Sequence, residues 1–295
     1  MFHKGEFIVA YYKANRVFQT QIPRHVEKVE LKDVYLLSET PREEFVKFLL
    51  DLKMTEALAV TGGKREKADK IKAWFAGFEN LLKRIYEEDS LSLEFNEDTF
   101  AFLICIPGRE PFDFNALSDG YAAVLDIVVD IMIRMERQTD RSFCFDMPGI
   151  VLVDEIETHL HLELQKKILD LLTTVFPNIQ FVVSTHSPFV LNSLENAVVY
   201  DLENHILVRD GLADVPYDGI VEGYFKADTM SALLREKYER YKMLVQKLQL
   251  TDDDFEEIAK LELFLGEIPD YLALDLTTEY RKMKLSFENR EDISW

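Results

Sequence analysis

The sequence predicts an α/β fold with a mostly parallel sheet, a helical insertion and a C-terminal helical tail. Two short apolar runs, residues 150–153 and 179–183, are rich in β-branched side chains, which is typical of strands buried on both faces. Between them, apolar residues recur at helical spacing until Pro177 and Asn178, which end the helix. A strand, a helix and a strand of these lengths predict parallel strands joined by a right-handed crossover.

Polar residues follow both strands at the point where each strand ends. Asp154 and Glu155 follow the first strand, and Ser184, Thr185 and His186 follow the second. Because open α/β sheets bind ligands at the carboxyl ends of their strands, we expect these side chains to form one site. Two adjacent carboxylates suit a bound Mg²⁺ and a base that orients water, as phosphoryl transfer requires. The alternative is that the two acids end the strand and cap the next helix.

A polar turn, LSDGY at residues 117–121, precedes a third apolar helical pattern. Ser118 is a candidate N-cap, and the free N–H groups of a helix N-terminus form an anion site. Gly120 would let a phosphate approach the backbone closely. Alone, LSDGY is a weak signal of an anion site, because such a turn more often marks only a helix cap. Its position before the polar residues 154–155 and 184–186 makes it a strong signal.

The segments VLVDEIETHLH (151–161) and VVSTHSP (182–188) closely resemble the Walker B motif, D-loop and His-switch of ABC-type ATPases. The resemblance is to the stand-alone RecF-, SMC- and OLD-like group, which includes ATP-binding proteins of bacterial phage-defence operons such as Septu-like systems. It covers roughly residues 7–202 and adds LSDGY as the ABC signature. It implies an ABC-ATPase-like nucleotide-binding core, with ATP and Mg²⁺ as cofactors.

The resemblance also implies roles for single residues. Asp154 would hold Mg²⁺ through water, Glu155 would orient or deprotonate the attacking water, and His186 would contact the γ-phosphate. The signature would complete the ATP site of a second subunit, either a homodimer mate or an ATPase partner chain. A zinc site at His159 and His161 is disfavoured because no cysteine or third histidine lies near in sequence. The remaining nucleotide-binding candidates are Ser118, Asp119, Gly120 and His161.

The motif that should hold the phosphates, G-x-x-x-x-G-K-[ST], is absent from the sequence. The nearest fragments are residues 3–5 and 61–65, and we interpret the second as a loop between helices. Truncation, divergence and a P-loop supplied by another chain all remain open. We therefore expect this chain alone to bind ATP poorly.

The elements before the signature complete the predicted core and its insertion. Residues 7–12 predict a strand, and Arg16 after it is interpreted as a solvated charge, with phosphate or the sheet edge as its alternatives. Two helices between residues 40 and 88, the first capped by Thr40, place aromatic residues such as Trp74 in the core. A hairpin spans residues 91–106. This block resembles the lid inserted before the signature in the family.

After the His-switch, two short strands flank a turn that contains His205. Helices are predicted from residue 228 onward, with a cap at Thr251 and a last helix after Pro269. This tail either docks a partner or covers the core. The predicted domain division is 1–38 (first strand region), 39–115 (lid and hairpin), 116–210 (motif-bearing core) and 211–295 (helical extension).

Fifty-four acidic against 34 basic residues give a net charge of −20, which disfavours non-specific adhesion to nucleic acid or acidic membranes. The sequence has neither a membrane-span pattern nor a signal-peptide pattern, and we expect a cytoplasmic protein in which Cys105 and Cys144 are buried, reduced thiols.

The predicted function is ATP binding and hydrolysis at a dimer interface that regulates an effector, such as a nuclease, in phage defence. The first alternative is a catalytically silent subunit that donates its signature to a partner. The second is a RecF-like DNA-repair ATPase, against which the acidic charge counts.

Overall fold

The computed structural model describes residues 5–16, 18–21, 23–139, 142–209, 211–224, 231–268 and 274–290. The chain forms two compact units, Met1–Tyr217 and Asp218–Trp295. The finer division of the first unit at residues 38 and 115 stays a prediction. The elements of the first unit are, in chain order, β1 (Ile8–Tyr12), a 3₁₀ turn (Pro41–Glu44), α1 (Phe45–Thr61), α2 (Arg65–Tyr86), β2 (Ser92–Asn96), β3 (Ala101–Cys105), α3 (Asp119–Thr139), β4 (Gly149–Val153), α4 (Leu162–Val175), β5 (Ile179–Val183), α5 (Pro188–Leu191), β6 (Val199–Asp201) and β7 (Ile206–Val208).

A parallel sheet in the order β1-β4-β5 positions the motifs. Its register aligns Gly149 with Ile8 on one side and Ile179 on the other, so that the three strands end together. The α/β class and the parallel strand–helix–strand unit are therefore confirmed.

The prediction that the strands are buried on both faces is wrong. Within β4, Val151 and Val153 are buried, whereas Ile150 and Leu152 are 37% and 40% exposed. Val182 of β5 is also exposed. An apolar run shows that both faces of a strand suit burial, but it does not show whether both faces are covered.

Helix α3, which follows the signature, is buried on every side from residue 123 to residue 136. It packs against β1 and the 3₁₀ turn. Two of its buried carboxylates have charged partners. Asp130 accepts hydrogen bonds from the Tyr12 hydroxyl at 2.8 Å and from Arg134 Nε at 2.7 Å. Arg42 forms an ion pair with Asp126. The sequence pattern predicts the apolar face of this helix and gives no sign of the buried ion pairs.

The helical insertion is confirmed, with α1 packed on α2 and Trp74 fully buried and stacked on Phe78 at 5.6 Å between ring centroids. The predicted loop between these helices is confirmed and comprises residues 62–64, with Gly63 at φ +71°. The cap predicted at Thr40 is wrong. Its hydroxyl donates to the Glu43 carboxylate at 2.6 Å instead of accepting a backbone N–H, because the chain enters α1 through a 3₁₀ turn.

The antiparallel hairpins β2–β3 and β6–β7 are confirmed, with His205 in the β6–β7 turn at φ +57°. Cys105 is partly buried and Cys144 is exposed, which corrects the prediction of buried thiols. The aromatic neighbours of Cys144 suggested burial, but Phe145 turns inward and leaves the thiol outside. Across the described ranges, no helix is both long and apolar enough to cross a membrane.

The second unit begins with a short helix and a π-helical turn and continues with three longer helices around Tyr241 and Leu265. The predicted cap at Thr251 is confirmed as a capping box with Asp254. The helix predicted after Pro269 is described only from Leu274, because residues 269–273 lie outside the described part, as do residues 228–230. The elements are α6 (Tyr217–Gly219), the π-helical turn (Ile220–Tyr224), α7 (Ala232–Gln246), α8 (Asp252–Gly266) and α9 (Leu274–Glu288).

Candidate functional site

The acidic turn, defined here as residues 154–160, begins where β4 ends. Asp154 N–H donates to the carbonyl of Tyr12 at 2.8 Å, which extends the ladder with β1 by one residue. Ser184, the first residue after β5, donates its hydroxyl to Asp154 Oδ1 at 2.6 Å and accepts Glu155 N–H at 2.8 Å. The structure therefore brings Asp154, Glu155 and Ser184 together at one sheet edge, as the topology predicts.

Glu155 has a left-handed backbone, with φ +44°, and its side chain is exposed. Thr158 Oγ1 lies 3.3 Å from its Oε2. Helix α4 starts only at Leu162, and His161 is its N-cap, since His161 Nδ1 accepts Leu164 N–H at 3.4 Å. The alternative that the two acids cap this helix is therefore wrong.

His186 lies on the turn that follows β5, and its side chain is exposed. Its backbone N–H donates to Glu157 Oε1 at 2.6 Å, so a carboxylate of the acidic turn holds the backbone that carries the imidazole. Next to it, Ser187 Oγ donates to Gln165 Oε1 at 2.7 Å. Sequence reasoning missed Glu157 and Gln165. Glu157 lies within the first segment, 151–161, and Gln165 lies between the two segments, but no local pattern marks their partners.

Arg16 is 6% exposed, which corrects the interpretation of this residue as a solvated charge. Its guanidinium lies at the sheet edge and donates to the carbonyls of Asp154 and Glu155 at 2.8 and 3.1 Å. Burial lowers the pKa of Arg16, whereas nearby carboxylates act in the opposite direction. The rule that charges lie outside fails because backbone carbonyls here supply the acceptors that water would otherwise provide.

The signature turn lies at the start of α3, with Ser118 and Asp119 exposed and Gly120 buried. A Cβ added to Gly120 would meet the carbonyl of His159 at 3.1 Å. Tyr121 also contacts the His161 ring edge to face, at 5.9 Å between centroids. Close packing on the acidic turn accounts for Gly120, and its role toward phosphate stays a prediction.

The oxygen atoms at this edge fit a hydrated Mg²⁺. The carboxylates of Asp154 and Glu155 and the hydroxyl of Ser184 are hard donors, and Mg²⁺ is commonly held by one or two carboxylates while keeping several waters. In the ranges that the structure describes, no cluster of three or more His, Cys, Asp or Glu side chains could hold a metal. The oxygen atoms of Asp154, Glu155 and Ser184 would hold a Mg²⁺ ion partly through water.

Comparison with known proteins gives a family and several named relatives. A family described as "AAA domain, putative AbiEii toxin, Type IV TA system" matches residues 20–192. The Septu protein PtuA of Bacillus mycoides (strain KBAB4) is 34% identical over 195 residues, which cover 59% of this chain and 27% of that protein. The "Retron Ec83 probable ATPase" of Escherichia coli is 31% identical over 183 residues, which cover 58% of this chain and 33% of that protein. The chain thus spans about a quarter to a third of the length of these relatives.

One solved structure, from work on "ATP-driven dimerization and DNA stimulated activation of SMC ATPases", aligns with 53% of this chain and 94% of its own. Its sequence identity is 16% and its TM-score is 0.36, a likeness too low to support an inference.

Proposed function

This chain belongs to the AAA-domain ATPase family, and from that premise we propose that it binds ATP with Mg²⁺ at the edge of its parallel sheet and hydrolyses it at an interface between two subunits. The resemblance to ATPases of phage-defence systems, predicted from three motifs, is confirmed by the Septu and retron relatives. The observation that carries the proposal is the joint placement of Asp154, Glu155 and His186 where β4 and β5 end.

In this proposal, Asp154 and the hydroxyl of Ser184 hold the hydrated cation. Mg²⁺ bound there would neutralise charge on the phosphate oxygens. Glu155, exposed beside it, orients and deprotonates the attacking water. His186 is exposed on the neighbouring turn and hydrogen-bonds the γ-phosphate.

Ser118, Asp119 and Gly120 would contact ATP held by a second subunit. Ser118 and Asp119 are exposed at the start of a helix of 21 residues, whose N-terminus favours an anion. Gly120 packs against the carbonyl of His159, which belongs to the acidic turn of the same subunit. A phosphate that binds at the signature of a subunit would therefore act on the acidic turn of that subunit.

The sequence has no G-x-x-x-x-G-K-[ST] segment. In this proposal the phosphates are held by a loop of a longer form, by a loop of a partner chain, or by a segment of this chain that has diverged from that pattern. We therefore expect weak ATP binding by this chain alone. The same observation favours a second candidate function, a silent subunit that donates its signature to a partner carrying that loop. By analogy with its relatives, we place the chain in phage defence, where ATP turnover would regulate an effector such as a nuclease.

Magnesium-dependent ATP binding by the purified chain tests the cation role of Asp154. An ATP titration in the presence and absence of Mg²⁺ is expected to show weak binding that Mg²⁺ strengthens. Asp154→Asn should weaken the Mg²⁺-dependent part by roughly 10-fold or more, the scale seen when groups around a metal are lost.

The matched control is Asp170→Asn, which changes an exposed acid on α4. Equal affinities for the two variants would contradict the assignment of Asp154. If the unmodified chain binds no ATP, the silent-subunit function is the one that stands.

A further inference from the structure

The guanidinium of Arg16 contacts the acidic turn over three consecutive residues. Nη1 donates to the carbonyl of Asp154 at 2.8 Å, and Nη2 donates to the carbonyls of Glu155 and Ile156, each at 3.1 Å. Nη1 also donates to the carbonyl of Lys13 at 3.0 Å. One side chain thus ties the end of β1 to the backbone of the turn that carries both carboxylates.

The turn is held on its opposite side by Ser184. The Ser184 hydroxyl accepts Glu155 N–H at 2.8 Å, and the Ser184 carbonyl accepts Ile156 N–H at 3.1 Å. Arg16 therefore binds the carbonyl oxygens of the turn while Ser184 binds its amides. Glu155 needs such support because a left-handed backbone is costly for a residue with a side chain.

We propose that Arg16 is a positioning residue that holds the acidic turn and so sets where the carboxylates of Asp154 and Glu155 lie; this role rests on the proposed function of those carboxylates. Arg16 is buried, and both of its terminal nitrogens donate to backbone carbonyls, so it acts on the turn and not on phosphate. Lysine cannot replace it, since a guanidinium presents five N–H donors in a rigid fork and an ammonium is a compact point charge.

Arg134 provides a matched control within the same unit. It is also 6% exposed, and its Nε donates to Asp130 at 2.7 Å. Its terminal nitrogens donate to the carbonyls of Leu36 and Glu39 at 3.4 and 2.8 Å, and none of these partners belongs to the acidic turn. A change of either arginine to lysine removes one buried guanidinium. Only the Arg16 change removes the contacts to residues 154–156.

Hydrogen exchange of the backbone amides, followed by mass spectrometry, tests this proposal without nucleotide. The amides of Asp154, Glu155 and Ile156 are hydrogen-bonded, so their exchange reports opening of the turn. In Arg16→Lys, exchange at residues 154–160 should rise about 10-fold while residues 36–40 stay as in the unmodified chain, a rise that corresponds to about 1.4 kcal/mol. Arg134→Lys should give the reverse pattern.

Unchanged exchange at residues 154–160 in Arg16→Lys, or a rise no larger than in Arg134→Lys, would overturn the proposal. Arg16→Gln, which keeps one donor group, is measured in parallel. If both Arg16 variants lose protection throughout α1 and α2, Arg16 supports the whole unit and the positioning role is likewise overturned.

A kinetic measurement separates this proposal from the proposed function. Where the unmodified chain hydrolyses ATP, Arg16→Lys should lower kcat about 10-fold and change KM by less than about 2-fold, because it displaces the carboxylates without removing a substrate contact. Absence of hydrolysis by the unmodified chain counts against the proposed function alone, and the exchange result then decides the role of Arg16 by itself.

Discussion

Asp126 is a buried carboxylate on α3 that makes the stability of this chain depend on pH. It forms an ion pair with Arg42 and also faces Asp130 and Arg16. Burial raises the pKa of Asp126 to about 6; Asp130 acts in the same direction, and Arg42 opposes it. The folded chain therefore holds a proton that the unfolded chain releases near pH 3.8.

It follows that the contribution of Asp126 to the free energy of unfolding is largest below about pH 4 and falls as pH rises to about 6. Asparagine does not titrate, so Asp126→Asn lacks this pH-dependent loss. The free energy of unfolding of the variant minus that of the unmodified chain should therefore rise by about 2–3 kcal/mol between about pH 4 and about pH 6. Urea denaturation at a series of pH values measures this difference, with Asp170→Asn as the exposed control. A difference that stays flat or falls with pH would mean that Arg42 keeps Asp126 ionised throughout.

Individual residues of the site were predictable where a local pattern marks them. Asp154, Glu155 and His186 follow apolar runs, so their place at a strand end can be read directly from the sequence. Arg16 and Glu157 were not predictable, because their partners are backbone groups far along the chain and no local pattern records which carbonyl or amide they bind.

At the scale of elements, Gly149 lets the outer strands flank β4 closely. A Cβ at this position would lie 2.7 Å from the carbonyl oxygen of Ile8 and 2.6 Å from the side chain of Ile179. The carbonyl belongs to β1 and cannot move without disturbing the ladder. The start of the strand that delivers Asp154 therefore requires glycine.

We predict that Gly149→Ala destabilises the first unit by about 1–3 kcal/mol, the usual cost of overpacking. Thermal unfolding measures this loss. Gly266→Ala is the control, since a Cβ there meets its nearest neighbour, the Tyr280 hydroxyl, at 3.9 Å. Equal melting temperatures for Gly149→Ala and the unmodified chain would contradict this prediction. They would show that β1 and β5 move away from the added Cβ without a cost in free energy.

The apolar runs predicted the three strands of the parallel sheet, β1, β4 and β5, to within one residue at each end. They did not predict the exposed face that includes Ile150, since the covering of a strand depends on what packs against it. Helical periodicity missed the 3₁₀ entry into α1, where the energetic difference between a 3₁₀ turn and the first turn of an α-helix is small.

At the scale of the whole molecule, the family followed from three motifs that occur in order along the chain, and the match over residues 20–192 confirms it. The proposed function also involves a phosphate-binding loop, a second subunit and an effector, and the three motifs do not predict these parts. The net charge of −20 counts against the RecF-like alternative, because a DNA clamp gains its affinity from basic contacts to phosphate.

Hydrolysis of ATP at this sheet edge, with Glu155 as the base, is tested by measuring ATP turnover. The purified unmodified chain and Glu155→Gln are compared at high ATP concentration. The control is Glu163→Gln, an exposed glutamate paired with Lys166 on α4. We predict slow, Mg²⁺-dependent turnover that rises more than linearly with protein concentration and that Glu155→Gln lowers by about 100-fold or more. Turnover that survives Glu155→Gln, or the absence of any turnover, would contradict hydrolysis at this sheet edge.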